Sequence, residues 1–279
     1  MEKLLLKEKL HSIKKNDFEL QQGETIGDYL EHMMNHIGDV DPELRDHLIL
    51  PTMVNWIEIK SMMDKNTMSQ LFDELLSDDY IFFNINKKDD TSVYKRSFST
   101  LTLNPILEAH EVDPFLTEEQ LQNFRIRMID YINKEHDFRG YDETYGWAHS
   151  LAHWSDTSYY YTFGMEEPRE MSLKVLDTIQ KKLMSIEIPL AREEDERLAT
   201  TIVYDYINEK MITLSDYKNW LEKFNEALEI EDKIHRFTVK VNVKHLLRSM
   251  YFRMRHLNIE DDYMNPLLEL EKKFNGYLY

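Results

Sequence analysis

Two histidines four residues apart, His149 and His153, and the following Asp156 form the group of side chains in this chain that is best suited to chemistry. They lie in the stretch 136–156, which reads HDFRGYDETYGWAHSLAHWSD. Side chains at positions i and i+4 of a helix share one face, and imidazole and carboxylate groups bind metals or transfer protons. The spacing therefore predicts either a divalent-metal site built from these three residues or a metal-free acid–base or ligand site.

A purely structural role fits the same three side chains. Histidines on a buried helix can hydrogen bond to carbonyl or carboxylate groups of neighbouring helices and so hold the helices together. No Glu follows His149 directly, so the pattern of the zinc-protease helix is absent. The chain also has no glycine-rich phosphate loop and no GxSxG nucleophile motif. Metal binding, metal-free chemistry and structural support are therefore three alternatives.

The elements that must position these groups begin with a helix over residues 146–161, predicted from its hydrophobic pattern and with Thr144 as its N-cap. At about 100° per residue, Trp147 and Trp154 fall on one side of this helix. The two histidines and the aspartate fall on the opposite side. The pattern thus predicts that the indoles point inward and that the polar groups share a separate face.

Further candidates for ligand binding lie outside this helix. Arg139 and Tyr141 belong to the loop before it, where Arg139 stands among acidic residues. Arg139 fits two interpretations, a structural ion pair that holds the loop and an anion clamp at the mouth of a site. Arg248 lies on a locally basic helix near the C-terminal end, which either forms an anion-binding wall or pairs with the acidic excess of the chain.

Composition restricts the classes of partner and chemistry. The 279 residues include 34 basic and 52 acidic side chains, and the net charge of −18 disfavours nucleic acid and anionic membranes as partners. The absence of Cys excludes disulfides, thiol catalysis and Cys-ligated zinc. No apolar run is long enough for a membrane span, and the charged N-terminal stretch does not resemble a signal peptide. We therefore expect a cytoplasmic protein.

The distribution of turn-forming residues predicts an all-α fold. Gly and Pro occur only seven times each, and the periodic segments amount to about eleven or twelve helices joined by short loops. Asp41 and Pro42 mark a helix start, and residues 117–120, TEEQ, form a capping box. We predict a single domain over residues 1–279, built from stacked helical hairpins in a HEAT-like α-solenoid, with a compact bundle or an α/α-toroid as the alternative.

Residues 135–156 also match a pattern that reads E-x-D-x-R-G-[YF] and, after a short spacer, GWAH-x-x-AH-x-x-D. Further matching segments are DPELRD (41–46), RSFSTL (96–101), PFL (114–116) and NVKHLLRSMYFRM (242–254). In this order the segments resemble a bacterial family of domains of unknown function, family 2785. Trp154 departs from the pattern because a small residue is common there, and its indole would narrow the space beside His153.

The resemblance implies a helical, HEAT-like fold but no established activity, substrate or cofactor. It implies a cluster of matching polar positions, namely Arg45, Arg96, Arg139, His149, His153 and Asp156.

We predict from these observations a binding or scaffold protein with a groove centred on residues 136–156. This groove would hold a protein, a peptide or a small polar ligand, while the cofactor content is none or one divalent metal. The alternative is a metal-dependent or acid–base enzyme that uses His149, His153 and Asp156. The sequence does not indicate an oligomeric state.

Overall fold

The computed structural model describes residues 1–87 and 90–277, and this part of the chain is mostly helical, with one short β-hairpin. The predicted all-α class is thereby confirmed. The chain divides into two compact units, Met1–Thr157 and Ser158–Tyr279. A single domain over residues 1–279 stays a prediction.

The first unit contains the helices that surround the candidate residues. They are α1 (Lys3–Lys15), α2 (Gly27–Asn35), α3 (Leu50–Val54), α4 (Lys65–Leu75), α5 (Ser92–Val112), α6 (Glu118–Lys134) and α7 (Ser150–Asp156). Helix α5 contacts α3, α4 and α7 and is buried along most of its length. Hydroxyl groups on its buried face donate to the carbonyl four residues earlier, as Thr100 does to Arg96 at 3.0 Å. Such bonds satisfy the polar groups of a helix that has little access to water.

Wider, π-helical turns at Glu43–Ile49 and Asn55–Ile59 flank α3. The carboxylate of Asp41 accepts a hydrogen bond from the backbone N–H of Glu43 at 3.0 Å, so the predicted helix start at Asp41 is confirmed. The sequence predicts a stop or a kink at Pro51, because proline has no N–H to donate. The chain instead stays helical through this residue and changes its helical pitch on both sides of α3.

The second unit is built from longer helices. They are α8 (Arg169–Ser185), α9 (Glu194–Thr200), α10 (Leu214–Lys223), α11 (Lys233–His256) and α12 (Asp261–Phe274). Helix α11 packs against α9 and α12, and α10 packs against α12. Within residues 1–87 and 90–277, no helix has both the length and the apolar character that crossing a bilayer requires.

The helix predicted over residues 146–161 is wrong at both ends, since α7 ends at Asp156 and a separate 3₁₀ turn covers Ser158–Tyr161. Strands β1 (Tyr141–Asp142) and β2 (Gly146–Trp147) pair as an antiparallel hairpin, and α7 begins only at Ser150. His149 stands just before α7 in the left-handed region, with φ 53° and ψ 33°. Thr144 is therefore not an N-cap, and His149 does not share a helix face with the residues that follow it.

Hydrogen bonds from a distant segment explain why the hairpin replaces the predicted helical turn. Arg45 donates to the backbone carbonyls of Tyr145 at 2.6 Å and Trp147 at 3.3 Å, which a helix would use for its own bonds. Gly146 has φ +76°, and a Cβ there would lie 3.0 Å from the Cβ of Pro42. The hairpin thus leaves Trp147 exposed, whereas Trp154 is buried, so the two indoles do not form one inward stripe.

The close approach of Gly38 to α5 generates a stability prediction. A Cβ at Gly38 would lie 2.3 Å from the Cα of Lys95, a backbone atom that cannot move without shifting α5. We expect Gly38→Ala to lower the free energy of unfolding by about 1–3 kcal/mol in urea titrations. Gly27→Ala is the matched control, since its nearest neighbour atom is 3.7 Å away. Equal unfolding midpoints for both variants would contradict the close packing.

Candidate functional site

An exposed aromatic surface occupies the β1–β2 hairpin. Tyr141 and Trp147 are paired across the strands, with ring centroids 5.0 Å apart, and they are 42% and 39% exposed. The imidazole of His149 stacks on the indole of Trp147, with centroids 4.6 Å apart and planes inclined by 29°. We call Tyr141, Trp147 and His149 the aromatic surface. It places three planar side chains at the boundary between the protein and the solvent.

His153 lies beneath this surface and is buried. Its ring makes an edge contact with that of His149 at 5.8 Å, so the structure brings the two predicted histidines together. The Nδ1 atom of His153 is 2.6 Å from the hydroxyl of Ser97, which itself donates to the backbone carbonyl of Ala148. Because the hydroxyl proton is used there, Nδ1 of His153 must be the donor to Ser97. The imidazole is thus held in one orientation, with its Nδ1–H directed at the hydroxyl of Ser97.

The predicted third member of this group, Asp156, is half-buried at the last residue of α7. In residues 1–87 and 90–277, no three His, Asp or Glu side chains stand in an arrangement that could hold a metal ion. The proposed metal set of His149, His153 and Asp156 is therefore not assembled as such a group.

Arg45 connects the hairpin to the helical part of the first unit. Its guanidinium is fully buried and donates to the carbonyls of the hairpin and to that of Asp39 at 2.6 Å. It also lies over the rings of Tyr94 and Phe98, 4.3 and 4.6 Å from their centroids. Burial lowers the pKa of Arg45, although the nearby charge of Asp46 opposes this change. These contacts indicate that Arg45 supports the aromatic surface from its buried side.

Arg96 and Arg139 hold the loop that leads into the hairpin. Arg96 of α5 binds Glu135 through two hydrogen bonds of 2.7 and 2.8 Å, and both side chains are shielded from solvent. Burial lowers the pKa of Arg96, but the hydrogen bond and the charge of Glu135 outweigh burial and raise it. Arg139 binds the carboxylate of Asp137 at 2.7 Å and the backbone carbonyl of Asp90 at 2.8 Å. Both arginines therefore stabilise the conformation of this loop.

Arg248 belongs to the second unit. It lies on α11 and donates to Glu271 of α12 at 2.8 and 3.1 Å. This pair agrees with the interpretation in which the basic helix pairs with acidic side chains.

Asp46 was not among the predicted site residues, although it ends the DPELRD segment. Its half-buried carboxylate is 3.4 Å from the guanidinium of Arg45. Burial raises the pKa of this carboxyl, while the charges of Arg45, His47 and His149 lower it in part. The Oδ2 atom of Asp46 would lie 3.6 Å from a Cβ at Gly146, so a carboxyl group lies beside the hairpin that carries the aromatic surface. Only the packing of the Glu43–Ile49 turn beside the hairpin reveals this relation.

A second feature of the first unit is a cleft of about 370 Å³ beside α5, which the sequence did not indicate. Glu58 and Glu108 meet there through a side-chain hydrogen bond, and Met63 and Met68 form apolar walls. Burial, followed by the bond to Glu58, raises the pKa of Glu108 to about 7. The two glutamates come from separate helical segments, so no local motif could have predicted that they lie together.

Comparison with known proteins identifies one relationship. The family model described as a protein of unknown function (DUF2785) matches residues 81–252, which is more than half of the chain. No curated protein and no solved structure matches the chain.

The buried pair of Arg96 and Glu135 generates a prediction about stability. Arg96→Met leaves the Glu135 carboxylate buried without its cation, and we expect a loss of about 3–5 kcal/mol in the free energy of unfolding. Arg248→Met is the matched control, because the Arg248 side chain is 48% exposed, and its loss should cost about 1 kcal/mol or less. Chemical denaturation measures both values. A similar small loss for the two variants would contradict the structural role of the Arg96 pair.

Two raised carboxyl pKa values predict the pH dependence of stability. Glu108 has a usual pKa of 4.5, and it titrates near 7 in the folded chain. Asp205, in the second unit, is also shifted to about 7, chiefly by burial. In the folded chain each carboxyl group keeps its proton up to a higher pH than in the unfolded chain. Its contribution to the free energy of unfolding is therefore complete below the usual pKa and is lost as the pH rises through about 7.

We therefore expect the melting temperature to fall between about pH 5 and pH 8. Glu108→Gln and Asp205→Asn should each reduce this fall, because an amide cannot ionise. Thermal unfolding measured across this range checks the prediction. A slope that neither variant changes would show that other groups control it.

Proposed function

Since the chain belongs to the family described as proteins of unknown function (DUF2785), we propose its function from the site itself. It is a binding protein whose aromatic surface of Tyr141, Trp147 and His149 holds a partner. The partners predicted from the sequence were a protein, a peptide or a small polar ligand. Of these, a peptide segment with positively charged side chains fits the surface best.

The exposure of Trp147 carries this proposal. The chain has four tryptophans, and Trp56, Trp154 and Trp220 are at most 2% exposed, whereas Trp147 is 39% exposed. Leaving an indole in water forgoes the stabilisation of burying it, and tryptophan and tyrosine are the side chains that most often contribute binding energy at interfaces. Trp147 and Tyr141 lie together, so the exposed area is continuous.

The backbone of His149 supports the proposal independently. A non-glycine residue in the left-handed region typically costs about 1–3 kcal/mol, and such strain is common at functional sites. In this conformation, the imidazole covers one face of the Trp147 indole. Arg45 and Arg139 hold the hairpin and its loop, so little conformational freedom would be lost when a partner binds.

The charge of the partner follows from the groups around the aromatic surface. The faces of tryptophan and tyrosine attract cations, and Asp46, whose carboxyl lies 3.4 Å from the guanidinium of Arg45, stands beside the hairpin. The net charge of −18 also favours the approach of a cationic segment from a distance. Lysine or arginine side chains of a peptide would therefore lie against the rings.

Acid–base catalysis is the second candidate, and it is favoured by the contact between His149 and His153 next to the Asp46 carboxyl. This form of the enzyme hypothesis needs no metal. The metal-dependent form, with His149, His153 and Asp156 as ligands, has less support because these residues do not form a three-ligand group.

The arrangement of the helices and the cellular location are also proposals. We propose that the helices are arranged as HEAT-like hairpins in one domain, which is supported by contacts between consecutive helices such as α1 with α2 and α11 with α12. A cytoplasmic location also stays a prediction.

The test compares a labelled arginine-rich peptide with a glutamate-rich peptide of equal length by fluorescence anisotropy. We expect the basic peptide alone to bind, and we expect Trp147→Ala to weaken binding at least about tenfold because the central indole is lost. Phe252→Ala is the matched control, since Phe252 is 71% exposed in the second unit. Equal effects of the two substitutions, or no binding of the basic peptide, would contradict the proposal.

A further inference from the structure

A second cleft in the first unit, of about 490 Å³, lies at the start of α5 and contains Lys95. The loop residues Gly38 and Asp39 form one wall, and Phe83 and Asn84 form another. The cleft does not include any member of the aromatic surface. We call it the Lys95 cleft.

The acidic groups of the Lys95 cleft already have partners. The carboxylate of Asp39 binds the ammonium of Lys3 at 2.5 Å and the imidazole of His36 at 2.9 Å. The carboxylate of Asp90 accepts hydrogen bonds from the backbone N–H and the hydroxyl of Ser92, and it thereby caps α5. Each carboxylate thus has an ionic or hydrogen-bonding partner other than Lys95.

The ammonium of Lys95 differs from these groups. It lies over the rings of Tyr80 and Phe83, 4.3 and 4.8 Å from their centroids. Among residues 1–87 and 90–277, no carboxylate lies within ion-pair distance of it. Burial lowers its pKa, and the more distant charges of Asp79 and Glu74 oppose this only in part. The cleft therefore contains a partly desolvated cation without a counter-ion in the part of the chain that the structure describes.

The position of Lys95 is tightly constrained. The Cα of Gly38 lies so close to α5 that even one additional carbon atom would meet the backbone of Lys95 at 2.3 Å. The side chains of Asn35, Asn84 and Thr91 line the same cleft and make no hydrogen bonds with the other described residues. They can donate to an oxygen atom that approaches the ammonium. The arrangement thus combines the fixed ammonium of Lys95 and the exposed side chain of Lys87 with several neutral donors.

We propose that the Lys95 cleft binds the phosphate group of a small molecule, with the Lys95 ammonium as its counter-ion. A compact ammonium group suits phosphate oxygens, and the amide and hydroxyl groups complete the hydrogen bonding. The cleft is large enough for more than the phosphate alone, so a phosphate monoester is the class of ligand that fits it. The capped start of α5 contributes little, because Asp90 already occupies it.

Calorimetric titration with inorganic phosphate and with glycerol phosphate, at an ionic strength kept constant with chloride, tests this proposal. We expect both to bind and glycerol phosphate to bind more tightly, whereas tighter binding of inorganic phosphate would identify the free anion as the ligand and overturn the monoester assignment. Lys95→Met should weaken both at least about tenfold, since a charge-assisted hydrogen bond is lost. Lys95→Arg should retain most of the affinity. Lys181→Met is the control, because Lys181 is exposed in the second unit.

Labelling of the unaltered protein provides a second measurement that does not depend on a folded variant. Glycerol phosphate should protect Lys95, but not Lys181, from an amine-acetylating reagent, as detected by mass spectrometry. Binding should also weaken as the pH rises toward the lowered pKa of Lys95, because the neutral amine does not balance the phosphate charge. Trp147→Ala should leave phosphate binding unchanged, so this proposal can fail independently of the peptide-binding proposal. Equal binding by Lys95→Met, or equal labelling with and without the ester, would overturn it.

Discussion

The hydrogen bonds from the buried guanidinium of Arg45 to the hairpin carbonyls are the interaction on which the aromatic surface depends. Strands β1 and β2 have only two residues each, and a hairpin of this size is not stable by itself in water. Arg45, in the helical turn Glu43–Ile49, donates hydrogen bonds to the carbonyls of Tyr145 and Trp147. These bonds stabilise the hairpin as those of a third strand would in a larger sheet. The surface is therefore a consequence of tertiary contacts more than of local strand preference.

Burying arginine has an energetic cost that shapes the rest of the first unit. When a guanidinium is removed from water, ion pairs and hydrogen bonds must replace its lost hydration. A buried ion pair fixes the geometry of its two side chains more reliably than it adds stability. Arg96 obtains these bonds from Glu135, Ser92 and the carbonyl of Phe83. Glu135 in turn accepts the backbone N–H groups of His136 and Asp137. The same contacts thus fix α5, the loop and the approach to the hairpin.

The Gly38–Asp39 turn connects the two proposed binding regions. The backbone carbonyl of Asp39 accepts from Arg45, which supports the aromatic surface. Its carboxylate is used by Lys3 and His36, so it does not neutralise Lys95. Gly38 brings this turn against α5. One short turn therefore supports the hairpin through the Asp39 carbonyl and lines the neighbouring cleft, where the Asp39 carboxylate is paired with Lys3 and His36.

The sequence by itself determined the helical class and several helix boundaries, because these depend on local patterns. The capping box at Thr117 and Gln120 and the cap at Asp41 are formed as their spacing predicts. The proximity of His149 and His153 was also predictable, although they meet across the start of α7 and not on one helix face.

Only the tertiary structure decided what the side chains of the site do. The hairpin depends on Arg45, which is 100 residues away from Tyr145, and the cleft that contains Glu58 and Glu108 joins two distant helical segments. Among the residues that the structure describes, Lys95 likewise lies over the rings of Tyr80 and Phe83 and forms no ion pair, an arrangement that only the packing of α5 sets. Hydrogen bonds and burial between distant segments are not encoded in local periodicity, since they arise only when the helices pack.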